Sequence, residues 1–397
     1  MDLGACLRNA SWPAARDLAY RSARPRTSVS LPLADAAGTT LAADVAALTA
    51  LPAFDTATMD GWCVCGGPPW RIVGEVLAGG SPGALGPGEA VVIATGARLP
   101  DGARAVVRRE HASTDGVLVV PGPAATWEPG RDVRLRGEEA GEGDVLLTAG
   151  SAVTPPVLGL AAAAGHDRLT VHPRPSVDVL VLGDELLDQG PSSDGRVRDA
   201  LGPQIPGWVD AAGGVLTSIV RVADRLDATV DALRASRADL VVTTGGTARG
   251  PVDQVHPALR AVGARLLVDQ VAVRPGHPML LADLGDERLL VGLPGNPLAA
   301  AVGFSSLATP ALRGARGRPD EPLTLGRLTS SLLAPPDAHR LVPVRVDRDG
   351  VTVTLSPLPH HGPAMLRGLT QADALAVAPP GGAERGDDVA LVALPWR

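Results

Sequence analysis

Apolar positions along the chain change their spacing three times. Near the start, Ser11 and Pro13 read as the cap and first turn of a short helix. Residues 28–47 are apolar but broken and read as extended chain. From 51 to 133, short Val/Ala runs at 90–94, 105–107 and 117–120 alternate with turn signals such as Ser81-Pro82-Gly83 and Leu99-Pro100-Asp101-Gly102. That spacing predicts a small β-rich domain. Residues 134–174 hold a Gly/Glu turn region and then a helix over 155–165, stopped by Gly165.

At residue 175 longer apolar runs begin. Strands are predicted at 176–182, 215–222, 240–243, 266–273 and 288–293. A helix over 225–237 places Leu226, Val230 and Leu233 on one face, with Asp224 as its cap, and an Ala-rich helix follows Pro297. Strands alternating with helices predict a parallel, doubly wound α/β sheet, with ligands beyond the carboxyl ends of its strands. From about 319 short alternating runs return (341–346, 351–355, 374–378, 389–392) and predict a small β-barrel or sandwich. The 397 residues suffice for several such cores.

Composition removes whole classes of function. All 36 basic residues are arginine, against 43 acids, for a net charge of -7. With nine aromatic residues in total, the chain has neither a basic field nor a stacking surface for nucleic acid. Without lysine there is no Schiff base, no lysine general base and no Walker lysine. Cys6, Cys63 and Cys65 read as small buried hydrophobes in a reducing, cytoplasmic setting. No signal peptide is expected, and the longest uncharged apolar stretch, 153–165, is too short to span a bilayer.

Three loops fall at predicted strand ends. Paired glycines in Thr244-Gly245-Gly246-Thr247 let backbone approach an anion. In Pro294-Gly295-Asn296-Pro297, Asn296 as cap and Pro297 at the first helical position predict a helix N-terminus aimed at the strand ends. Asp184-Glu185 follow the first strand directly. Arg274-Pro275-Gly276-His277-Pro278 is a rigid turn bearing a cation and an imidazole, suited to clamping an oxyanion. Asp60, Asp184, Glu185 and Asp253 are candidate ligands for a divalent cation that bridges phosphate oxygens, though each acid alone also reads as a surface charge or cap. The eight histidines have no zinc spacing.

Seven segments in order, LPAFDTATMDGWCV (51–64), GPGEAVVIATGARLPDGARAVVRRE (86–110), GRDVRLRGEEAGEGDVLL (130–147), RPSVDVLVLGDELLD (174–188), DLVVTTGGTARGPVDQV (239–255), VAVRPGHPM (271–279) and LLVGLPGNPLAAAVGF (289–304), resemble the molybdopterin molybdenumtransferase family, the MoeA and gephyrin E-domain proteins. The resemblance covers about residues 28–397. It implies an extended N-terminal domain (1–50 and 134–174), an inserted β-rich domain (51–133), a MoaB/MogA-like doubly wound α/β molybdopterin-binding domain (175–318) and a C-terminal β-barrel (319–397). It implies a homodimer whose cleft lies between the α/β domain of one subunit and the inserted domain of the other. It also implies the reaction: adenylated molybdopterin is cleaved, molybdate is placed on its dithiolene, and AMP leaves, with Mg2+ assisting. Partners so implied are a molybdopterin adenylyltransferase and molybdoenzymes, with no nucleic acid and no membrane.

Carried over, the catalytic set is Asp60, Thr95, Glu185, Asp253 and Arg274. The cofactor-binding set is Gly245, Gly246, Thr247, Gly250, Gly276, His277, Pro294, Gly295, Asn296 and Pro297, and the metal set is Asp184, Glu185 and Asp253. The chain departs from the family pattern where family lysines fall on Arg274, His277 and Gln270. Family polar groups are replaced at Ala200, Leu201, Ala248 and Pro363, family aspartates by Arg104 and Glu139, and Arg249 is new. These departures carry a second expectation, a catalytically weakened paralogue that carries molybdopterin or scaffolds a partner.

Overall fold

The computed structural model describes residues 6–248, 253–350, 352–394 and 396. Arg249, Gly250 and Val351 of the sequence analysis lie outside the described residues. The chain divides into two compact units, one of Met1–Val29, Gly38–Ala42 and Thr170–Arg397, the other of Ser30–Ala37 and Ala43–Leu169.

Along the first unit run β1 (Leu7–Ser11), α1 (Trp12–Ser22), β2 (Ser176–Leu182), α2 (Ile205–Ala211), β3 (Val215–Val222), α3 (Leu226–Ala235), β4 (Leu240–Thr244), α4 (Val255–Ala261), β5 (Arg265–Arg274), β6 (Leu280–Gly285), β7 (Arg288–Leu293), α5 (Pro297–Gly303) and α6 (Thr309–Ala315). The sheet order is β3-β2-β4-β7-β6-β5, with β1 added beside β5. The four strands β3, β2, β4 and β7 are parallel, as their apolar runs predict. In β2, Val177, Val179 and Val181 enter one core while Leu180 and Leu182 enter another on the opposite face. In β7, Leu289, Val291 and Leu293 enter the first core and Leu290 the second. Alternation between two covered faces explains why these strands read as unbroken apolar runs.

Two features differ from a uniformly parallel sheet. The hairpin strand β6 runs antiparallel to both β5 and β7, and sequence pattern did not single it out. The strand β1, which precedes the first helix and which sequence pattern did not single out, pairs in parallel with β5 and adds to the sheet. The helix α1 forms where Ser11 and Pro13 predict it, but Ser11 makes no side-chain cap bond. Trp12 Nε1 donates to Ser306 Oγ at 2.9 Å instead, fastening α1 to the π-helical turn Phe304–Ala308 between α5 and α6. The cap position of α3 is Arg225, not Asp224.

The barrel strands are β8 (Thr324–Leu328), β9 (His339–Asp349), β10 (Thr352–Pro357), β11 (Ala374–Ala378) and β12 (Asp388–Ala393). They run β9-β10-β8-β12-β11, and pairing of β9 with β11 closes the barrel around Val342, Val344, Leu355 and Ala376.

The second unit centres on a six-stranded sheet in which Gly61–Cys65 lies between Glu89–Ile93 and Ala105–Arg108. Cys63 is fully buried there, and burial pushes its thiol up to about 12. Among the described residues, no helix is long and apolar enough to cross a membrane.

Candidate functional site

The loops after β2, β3, β4 and β7 all leave the carboxyl edge of the parallel sheet. They surround one cavity of about 380 Å³, lined by Glu185, Asp224, Gly245, Gly246, Gly295 and Asn296 among others. In the order β3-β2-β4-β7 the chain reverses its direction of winding between β2 and β4. Open α/β sheets hold ligands at such a point.

Local backbone demands explain the loop sequences. Gly183 has φ +130°, and a Cβ there would lie 2.9 Å from Glu185 Oε2. The Glu185 carboxylate therefore folds back over a position only glycine fits. Gly245 and Gly246 both take left-handed φ, +80° and +65°. A Cβ on Gly295 would lie 3.7 Å from Gly245 Cα, so the two glycine loops touch.

Several expected anion donors are engaged within the protein. The Gly245 N–H donates to Leu293 O at 2.9 Å. At the start of α5, Leu298 N and Ala299 N donate to Pro363 O at 3.0 and 3.2 Å, and Pro297 has no N–H. The helix N-terminus predicted as an anion site is thus capped by the carbonyl of a residue from the segment between β10 and β11. Asn296 makes no side-chain cap bond, and Asn296, Gly295 and Pro297 face the cavity. Thr247 is buried away from the cavity: a Cβ on Gly292 would meet its Cγ2 at 2.8 Å. Pro294 is likewise buried.

Four carboxylates line the cavity: Glu185, Asp199, Asp224 and Asp253. Asp184 does not. Its backbone N–H donates to Asp224 Oδ2 at 3.1 Å, and Asp224 N–H donates back to Asp184 Oδ1 at 3.4 Å. Asp199 Oδ1 accepts from Leu201 N and Gly202 N at 2.9 and 3.0 Å. Among the described residues no group of three or more His, Cys, Asp or Glu is arranged to hold a metal ion, so Asp184, Glu185 and Asp253 do not form a preformed three-carboxylate site. Ala200 and Leu201, where family polar groups are replaced, line the cavity directly. Arg198 also lines it, with Nη1 donating to Leu187 O at 3.1 Å. Sequence reasoning missed Arg198 because one arginine in a polar loop carries no pattern.

Arg274, Gly276 and His277 stand outside this cavity. Gly276 has φ +108°, and a Cβ there would meet Met279 Cε at 2.7 Å and Ala299 O at 3.3 Å, so the turn is seated against α5. His277 Nδ1 donates to Val271 O at 2.8 Å, and Val271 N–H donates to His277 O at 3.0 Å. Arg274 is exposed at the end of β5, in register with Arg340 on β9. Arg274 Nη1 donates to Val273 O at 2.9 Å and Arg340 Nη1 to Leu333 O at 3.0 Å, and among the described residues neither makes an ion pair. Strand register thus sets two arginines side by side, a local concentration of positive charge. Arg340 carries no signal in sequence, since only strand pairing places it beside Arg274. Gln270 lies in β5 with φ +70°, opposite Asn9 of β1 with φ +47°.

In the second unit the structure joins Asp60 to Thr95. Pairing of Gly61 with Ile93 sets the two strand ends side by side. Asp60 Oδ1 accepts from Thr95 N and Thr95 Oγ1, each at 2.7 Å. The backbone and side-chain hydrogen bonds from Thr95, in that order, hold the Asp60 carboxyl below the usual carboxylate range. Gly61 is required beside it, since a Cβ there would lie 2.0 Å from Val107 O.

Family models match nearly the whole chain. The MoeA N-terminal region (domain I and II) matches residues 10–165, a probable molybdopterin binding domain residues 178–314, and the MoeA C-terminal region (domain IV) residues 326–394. Molybdopterin molybdenumtransferase 2 of Mycobacterium tuberculosis is 33% identical over 383 residues, which cover 90% of this chain and 92% of that protein. The molybdopterin molybdenumtransferase of Staphylococcus aureus is 32% identical over 288 residues, 69% of this chain and 68% of that protein. The fold matches the crystal structure of a molybdopterin biosynthesis MoeA protein from Pyrococcus horikoshii with a TM-score of 0.77 at 21% identity, over 97% of this chain and 99% of that one. The end-to-end likeness, with acids and glycine loops at the carboxyl edge of the sheet, makes this chain a member of the molybdopterin molybdenumtransferase family of molybdenum cofactor biosynthesis.

Proposed function

We propose that this chain catalyses insertion of molybdate into adenylated molybdopterin with release of AMP. The observation that carries the reading is the cavity at the carboxyl edge, where Glu185 and Asp253 face the Gly245-Gly246 and Gly295-Asn296 loops. Water attacks the phosphoanhydride, a new P–O bond forms as the bridging P–O bond breaks, the water's proton passes to Asp60 or solvent, and AMP and molybdopterin phosphate separate. The two dithiolene thiols give up their protons and replace two oxygens of molybdate, which leave as two waters with two further protons from solvent.

The donor set suits magnesium. Glu185 and Asp253 offer hard carboxylate oxygens on one cavity, and magnesium characteristically takes one or two carboxylates and fills its shell with phosphate oxygens and water. Bound there, the ion supplies charge neutralisation to the phosphates. The chain's own groups do the rest. Asn296 and the Gly246 backbone orient the phosphate end, and the Gly183 turn fixes the reach of Glu185. Arg274 and Arg340 draw molybdate by charge. Asp60, kept ionised by Thr95, accepts a proton or positions water at the reacting phosphate.

The protein acts as a homodimer in the cytoplasm, with Asp60 and Thr95 of one copy completing the cavity of the other. It receives substrate from a molybdopterin adenylyltransferase and passes product to molybdoenzymes. The test is direct: purified protein with magnesium, molybdate and adenylated molybdopterin releases AMP, and Asp60→Asn and Asp253→Asn abolish release. A folded wild-type protein that releases no AMP, under conditions where a lysine-containing relative does, overturns the proposal.

A further inference from the structure

The loop that carries Glu185 is fastened from outside the cavity it serves. Arg221 stands on β3, opposite Val181 of β2, one residue before the pair Leu182 and Val222 that ends the register. Its guanidinium reaches past the end of β2. Nη2 donates to Gly183 O at 3.1 Å and to Leu186 O, and Nη1 pairs with Asp188 Oδ1 at 2.5 Å. The two carbonyls bracket Asp184 and Glu185, so one planar group grips both ends of that two-residue segment.

The grip bears directly on the Glu185 carboxylate. Gly183 O also accepts from Leu186 N at 3.2 Å, so both of its lone pairs are used. The residue so held is the one whose missing Cβ leaves room for the carboxylate: a Cβ on Gly183 would lie 2.9 and 3.0 Å from the two Glu185 Oε atoms. Glu185 O in turn accepts from Val197 N at 3.0 Å. Two other arginines touch this loop. Arg196 Nη2 donates to Leu186 O and Arg198 Nη1 to Leu187 O, each at 3.1 Å. Of the three, only Arg221 reaches Gly183 O and stands on a strand of the parallel sheet.

Neither Arg221 nor Asp188 lines the cavity, so Arg221 acts on it through the loop alone. The Arg221 side chain is 33% exposed and that of Asp188 77%, so their ion pair by itself contributes little to stability. What the guanidinium supplies is geometry, because its fork is rigid and fixes its acceptors relative to one another. Resting on the reading of the cavity given above, we propose that Arg221 is a positioning residue for the reaction: through Gly183 O and Leu186 O it sets where the Glu185 carboxylate stands at the phosphate end of the substrate.

The test combines AMP-release kinetics with hydrogen exchange on the intact protein. Arg221→Met removes the donors and keeps an apolar stem, and Arg221→Lys keeps the charge without the fork. In Arg221→Met, kcat is expected to fall about tenfold or more, the scale of one lost charged hydrogen bond, with a smaller change in KM for adenylated molybdopterin. Arg221→Lys is expected to recover part of that loss. The amides of Leu186 and Val197 should exchange faster in Arg221→Met while those of β4 do not. In a Glu185→Gln background, Arg221→Met should add little. Should Arg221→Met fail to fold, Arg221→Lys decides on the same measurements. Unchanged kcat, a loss confined to KM, unchanged exchange at Leu186 and Val197, or full additivity with Glu185→Gln each overturns this proposal alone. No AMP release by the wild-type protein overturns the reading of the cavity, and this proposal with it.

Discussion

Gly183→Ala tests whether the turn after β2 sets the position of Glu185. The native φ is +130°, outside the region that residues with a Cβ adopt readily. Holding alanine there costs about 1–3 kcal/mol. The new methyl would lie 2.9 and 3.0 Å from the two Glu185 carboxylate oxygens and 3.1 Å from Leu186 Cγ. The carboxylate is the far end of a flexible side chain, so it moves and the fold survives. Thermal unfolding is expected to show a fall in Tm of about 2–10 °C. A displacement of about 1 Å at a positioned group can cost on the order of 100-fold in rate, so kcat/KM for AMP release should fall by that order. Because the effect passes through Glu185, Gly183→Ala should add little to Glu185→Gln in a double-mutant cycle. Wild-type kcat/KM in Gly183→Ala, or losses that simply add in the cycle, would refute the reasoning.

Thr95→Ala removes one of the two bonds that depress the Asp60 carboxyl, so that carboxyl rises and the acid limb of the kcat/KM profile should move to higher pH. An unmoved limb excludes Asp60 as the group behind it. Asp178 is buried in β2 and accepts from Thr217 Oγ1, Ser218 Oγ and Ser236 Oγ at 2.7, 2.6 and 2.5 Å. Asp178→Ala should cost about 2–4 kcal/mol in urea unfolding at pH 7. Burial raises the Asp178 carboxyl, but the three hydroxyls outweigh it and the net shift is downward. Its stabilisation is therefore present above the unfolded value of about 3.9 and lost as pH falls through the lower folded value. The Asp178→Asn variant should show a flatter loss of stability in that window, and an equal slope counts against the assignment. Arg274→Gln and Arg340→Gln should each raise KM for molybdate more than KM for adenylated molybdopterin, and equal effects on both substrates would remove molybdate from that corner. If each site is built from two copies, mixing inactive Asp60→Asn and Asp253→Asn proteins should restore about a quarter of wild-type activity, because half of the dimers then carry one intact site of two. No recovery after subunit exchange points to a site within one chain.

Much of this architecture is legible in local pattern. The runs at 176–182, 240–243 and 288–293 are apolar at nearly every position because both faces of those strands are covered, and that alone announces a buried parallel sheet. The glycines at 183, 245 and 246 announce turns that other residues cannot make, and the family motifs announce Asp60, Thr95, Glu185 and Asp253. Pattern gives burial and conformation but not partners. Nothing local sets β6 antiparallel or adds β1 at the sheet edge, since strand direction is decided by hydrogen bonds to distant neighbours. The same holds at the site. The Asn296-Pro297 segment reads as an open helix N-terminus, yet the Pro363 carbonyl, far along the chain, occupies its first amides. Arg274 reads as one cation in a turn, yet strand register sets Arg340 beside it. Sequence by itself determined the buried parallel strands, the turns and the chemical inventory. Tertiary structure decided which donors remain available and which charges are neighbours, because both depend on distances between residues remote in the chain.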